Sequence, residues 1–134
     1  MGGQMEKIAN WVDAFNNIAR NENNFHSFLI ERGENSLDAT LTLEEVGHVG
    51  GCIGGAFAAA TLTMREGKAT LEISTGNYRK CPTEAGYVAD YAKTSVERLD
   101  LGGDPELISY VKSLKNEGDF IALLEAVIQS AASS

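Results

Sequence analysis

Two short runs of alternating side chains meet at a glycine turn, and no other stretch of the chain limits its fold so sharply. In Ala60-Thr61-Leu62-Thr63-Met64, Leu62 and Met64 point one way and the threonines the other. Arg65-Glu66-Gly67-Lys68 follows, with a glycine where a tight turn needs positive φ, and Thr70-Leu71-Glu72-Ile73-Ser74 then alternates again. Period-two alternation marks a half-buried strand, and two such runs about a glycine turn mark a hairpin. A β-hairpin is expected at about 59–74. Leu37, Ala39, Leu41 and Leu43 alternate with Asp38, Thr40 and Thr42 after the polar turn Arg32-Gly33-Glu34-Asn35-Ser36. With Phe25–Glu31 before it, this predicts another hairpin over about 25–43.

Helical spacing dominates elsewhere. Met5, Ile8, Ala9, Val12, Phe15 and Ala19 recur at three and four, so an amphipathic helix is expected from about Gln4 to Arg20, ended by Asn21–Asn24. Residues 1–4 read as a flexible leader and 131–134 as a frayed tail. From Pro82 onward three helices are expected. Thr83 would cap the first, with Val88, Tyr91, Ala92, Val96 and Leu99 on its inner face. Asp104-Pro105-Glu106 opens the second with an N-cap, a proline at the first helical position and an early acid. The third carries Phe120, Ile121, Leu123, Leu124, Val127 and Ile128, apolar around more than half its girth, which implies burial between sheet and helix or against a second subunit.

The glycine-rich segment 44–58 reads two ways. Leu43, Val46, Val49, Ile53 and Phe57 keep helical spacing behind a Thr42-x-x-Glu45 capping pattern, which favours a helix. Five glycines within it, each costing roughly 1 kcal/mol against alanine, favour a loop unless close main-chain packing offsets them. The fold class expected from these elements is α+β, one domain over 1–134, with a small antiparallel sheet of three to four strands and a helical C-terminal half.

On the helical reading Glu44, His48 and Cys52 share one face at steps of four. They could act as metal ligands or as a thiolate with base and carboxylate, but packing is the plainer role, since no HExxH or CxxC motif completes a set. Tyr78-Arg79-Lys80-Cys81 forms the one local basic cluster, able to hold a carboxylate or phosphate. Tyr91, a helical turn beyond Tyr87, could line a pocket with Tyr78. The candidate ligand-binding residues are therefore Glu44, His48, Cys52, Tyr78, Arg79 and Tyr91, with no catalytic residue, metal or cofactor expected.

Charge narrows the partners. The net charge is −8, and residues 1–66 hold four bases against nine acids, residues 67–134 seven against ten. A chain acidic in both halves is ill matched to nucleic acid or to an anionic membrane surface, and suits a partner that is itself basic. Two distant cysteines in a domain with its own core do not read as a disulfide framework, and the cytoplasm is the expected compartment. The function expected is a non-enzymatic, acidic protein-binding domain of the adaptor, chaperone or inhibitor kind, forming a homodimer. The alternative is a small-molecule-binding domain or small enzyme with a pocket near the glycine-rich segment.

Overall fold

A computed structural model describes residues 2–132. It shows one α-helix, six strands and two further helices in chain order: α1 Gly2–Ala19, β1 Asn24–Arg32, β2 Ser36–Glu45, β3 Gly47–Val49, β4 Cys52–Arg65, β5 Lys68–Thr83, β6 Gly86–Gly102, α2 Pro105–Lys112 and α3 Glu117–Ala132. The sheet is antiparallel throughout, ordered β1-β2-β4-β5-β6, with the short β3 also paired to β4. All three helices contribute to one core. Ile8, Trp11, Val12, Phe15 and Ile18 of α1, Ile108 and Val111 of α2, and Phe120, Leu123 and Leu124 of α3 pack with Leu37, Leu41, Leu43, Ala58, Leu62 and Leu71 of the sheet. The Trp11 indole N–H donates to the Ser74 carbonyl at 3.0 Å, which pins α1 across β5. The wide stripe of α3 lies between α1 and β1, where Phe120 meets Phe28 edge-on.

Both expected hairpins are present. β1 pairs with β2 from Asn24↔Glu45 to Arg32↔Leu37, and β4 turns into β5 through Glu66 and Gly67, both at positive φ. Asp104 caps α2 by accepting from the Leu107 N–H. Of the stretch expected as a leader, residues 2–4 enter α1 and Gln4 Nε2 donates to the Asp100 carbonyl, while Met1 lies outside the described residues. Part of the expected tail, 133–134, lies outside the described residues.

The expected fold class needs correction in three places: the sheet has six strands where three to four were expected, the segment 44–58 is neither helix nor loop, and the C-terminal half is not all helical. In the glycine-rich segment, β3 and β4 are joined by Gly50 and Gly51, both at positive φ. The glycines do allow close main-chain approach, but within a sheet: a Cβ on Gly54 would stand 2.5 Å from the Tyr78 carbonyl oxygen.

The segment taken for a helix after Pro82 is β6. Thr83 does bond the following turn, accepting from the Ala85 N–H and donating to the Gly86 carbonyl, but it shapes a hairpin turn and starts no helix. A bulge explains the misleading spacing. Thr75 faces Ser95 while Gly76 faces Lys93, so Thr94 is an extra residue. Inserting one residue shifts the alternation by one, so that Tyr91 and Val96 share a face despite their odd separation. Two runs of period two, offset by one, imitate a helical stripe.

Candidate functional site on the open face of the sheet

Because every helix packs on one side, the other side of the sheet is left open. In an antiparallel register, residues on one rung share a face. Ser27, Thr42, Ala59, Ser74 and Val96 form a rung of mostly small side chains across all five long strands. Phe25, Glu44, Phe57, Gly76 and Lys93 lie on one side of it, and Leu29, Thr40, Thr61, Glu72 and Arg98 on the other. Small side chains between larger ones leave a shallow transverse groove, holding about 200 Å³ where Thr42, Ala59 and Ser74 meet Phe57 and Tyr91. At the β1 end, Phe25 and Leu29 are 59% and 66% exposed.

Beside the groove a polar cluster closes the far end of the open face. Glu44, only 5% exposed, accepts from Lys80 Nζ at 3.0 Å and from the Tyr91 hydroxyl. The Tyr78 ring stacks on that of Tyr91 at 5.6 Å, and Phe57 meets Tyr91 edge-on at 5.2 Å. Lys80 Nζ stands 5.4 Å from the Tyr78 ring centre, and the Tyr78 hydroxyl donates to the Glu45 carbonyl. Burial first, then the Glu44 charge, raises the Tyr78 and Tyr91 hydroxyls above the ordinary tyrosine value. For Lys80 burial pulls downward, but the bonded Glu44 carboxylate outweighs it and holds the ammonium above the usual lysine value. Both tyrosines thus stay neutral and Lys80 charged at neutral pH. The arrangement neutralises the carboxylate and supports the sheet end as a second small core; it presents no activated nucleophile.

Three of the six expected site residues, Glu44, Tyr78 and Tyr91, therefore come together. The other three do not join them. Arg79 is exposed on the rung Gly54–Arg79–Asp90, one residue out of phase with Tyr78 and so on the opposite face. His48 is exposed on β3 opposite Ile53. Cys52 is joined to Cys81 in a disulfide, with a Cα–Cα distance of 4.4 Å, one rung beyond Ile53↔Lys80. The bond corrects the reading of two unpaired cysteines and removes a free thiolate from the Glu44–His48–Cys52 arrangement, whose members stand on three different strands, β2, β3 and β4. Among the described residues no cluster of three or more His, Cys, Asp or Glu side chains is placed to hold a metal. Lys80 and Phe57 were absent from the expected site residues, although Lys80 belongs to the basic cluster read as able to hold a carboxylate, and it holds that of Glu44. The i, i+2 spacing of Tyr78 and Lys80 on a continued strand was the signal for the lysine.

The sheet's two edges differ. The inner side of β1 is tied down: His26 Nδ1 bonds Glu117 at 2.8 Å, and an Arg32 guanidinium nitrogen donates to the Leu114 carbonyl. From Gly86 to Val96 every residue of β6 is exposed. Tyr87, Val88, Tyr91 and Val96 stand out as large apolar side chains there. A scan of known protein families finds none that matches the chain, and a search of curated proteins returns no match.

Proposed function

We propose that this chain is a non-enzymatic protein-binding domain of the adaptor, chaperone or inhibitor kind, acting as a homodimer. The observation that carries the reading is the open face, where Phe25 and Leu29 flank a groove of small side chains that no helix covers. Exposed apolar groups beside a concave rung suit a partner segment laid across the strands. Charge acts at longer range. On the face itself three acids are matched, Asp38 with Arg65 at 2.7 Å, Glu72 with Arg98 at 2.8 Å and Glu44 with Lys80 at 3.0 Å. The net charge of −8 then steers a basic partner toward the molecule, while contact is made by apolar and hydroxyl groups.

The groove, at about 200 Å³, is smaller than the roughly 300–1,000 Å³ typical of small-molecule sites, which favours a protein partner there; a second hollow of about 310 Å³ beside Glu45, Ala56 and Gly76 is the observation that favours the alternative. No helix among the described residues is long and apolar enough to cross a membrane. The cytoplasm remains the working placement, and the Cys52–Cys81 bond is the observation that weighs against it, because structural disulfides are rare in a reducing cytosol.

The test is affinity capture followed by titration of whatever partner is recovered. Phe25→Ser with Leu29→Ser should weaken that partner at least about tenfold, since losing two such anchors amounts to about 1.4 kcal/mol or more. Both side chains are exposed, so circular dichroism should be unchanged. An unchanged affinity in the double variant, or no partner for the wild type, would refute the proposal.

A further inference from the structure

We infer that the segment Gly86–Lys93 of β6 is the homodimer surface, two copies pairing this edge antiparallel about a two-fold axis normal to the sheet. The inference rests on the homodimeric reading above and assigns it a place.

An unpaired strand edge offers main-chain donors and acceptors to any other chain, and natural proteins blunt such edges with proline, charge, a bulge or a covering element. Gly86–Lys93 has no proline and no covering helix, and the bulge at Thr94 lies just past its end. Two of its apolar groups are bare, Tyr87 at 72% and Val88 at 58% exposed.

The exposed area is large enough for such an interface. The chain exposes 7989 Å², whereas a compact monomer of its mass exposes about 6,800 Å². The surplus of about 1,200 Å² exceeds the roughly 800 Å² that each partner contributes to a standard interface. Among the described residues, 86–96 is the longest fully exposed run in any strand.

Charge selects a second copy over a basic partner at this edge. Between Gly86 and Val96 the only ionised side chains are Asp90 and Lys93, which sum to zero, while the chain as a whole carries −8. Two such edges can meet without the repulsion that most other surfaces of the molecule would impose. Like charges directly opposite each other are unfavourable, so the axis falls away from Asp90. A two-fold normal to the sheet also sets both helix layers on one side and both open faces on the other. The dimer would then offer two partner sites side by side.

Sedimentation analysis of the full chain from about 1 to 500 µM, a range spanning ordinary dimer affinities, tests this. A mass twice the monomer's 14.3 kDa is expected, with amide exchange at 86–93 slowing as concentration rises. Val88→Lys with Ala92→Lys, both exposed in the monomer, places like charges along the seam and should raise the dissociation constant at least about a hundredfold. Phe25→Ser with Leu29→Ser should dimerise as the wild type does, which separates this test from that of the partner face. A wild type that stays monomeric, exchange at 86–93 that ignores concentration, or a dimer unaffected by the two lysines would each overturn the assignment. Should the lysine variant not fold, the exchange measurement on the wild type decides alone.

Discussion

At Glu44 a nearly buried carboxylate is held by an ammonium and a phenol that come from distant parts of the chain; Tyr91 lies 47 residues away. Glu44→Gln keeps the shape but leaves Lys80 half-buried without its counter-charge, a change expected to cost about 1–3 kcal/mol in urea denaturation. Adding Lys80→Met should cost less than the sum of the two single changes, because each removes the same contact. The cluster also sets an alkaline limit. Tyr78, Tyr91 and Lys80 all lie above their ordinary values of 10.0, 10.0 and 10.5. The folded state therefore holds these protons more tightly than the unfolded chain. Their stabilisation is complete below about pH 10 and is lost as pH rises through the folded-state values. Melting temperature should be level from about pH 7 to 9 and drop above about 10, with a smaller drop in Tyr91→Phe. Glu44, Tyr78 and Tyr91 were each legible as polar or aromatic residues of interest. Their meeting was not, since it depends on which strands lie side by side.

Among the elements, β4 and β5 are both long and are locked together at their far end by Cys52 and Cys81, 29 residues apart in sequence. Closing a loop of that length restricts the unfolded chain, so Cys52→Ala with Cys81→Ala should lower stability by about 3 kcal/mol. Denaturation with and without reductant measures this directly. The wild type should show two reactive thiols per chain only after reduction, matching its two cysteines. A bulge opposite the middle of β5 explains why β6 escaped a sequence reading. Alternation is a local signal only while the ladder is regular, and the extra residue at Thr94 breaks it mid-strand. The glycine-rich segment failed for a different reason. Gly54 has no side chain to declare a face, so its neighbours Ile53 and Phe57 took on a helical spacing by default.

For the whole molecule, a one-sided helix layer over a sheet that outruns it leaves an open face and a free edge, and these carry the proposed binding and dimerisation. In the proposed dimer, surplus acids elsewhere would keep two such molecules apart except along the neutral edge. What the sequence determined by itself was the local part of this architecture. α1 and α3 follow from apolar spacing, α2 from its Asp104 cap and Pro105, and the β4–β5 turn from Glu66-Gly67, because each signal is complete within a few residues. Only the tertiary structure decided that 47–49, 52–58 and 86–102 are strands, that Cys52 meets Cys81, and that Glu44 meets Lys80 and Tyr91. The physical reason is that a strand's hydrogen bonds are made with another strand. Its conformation is therefore settled by a neighbour that may be remote in sequence, whereas a helix satisfies its own main chain.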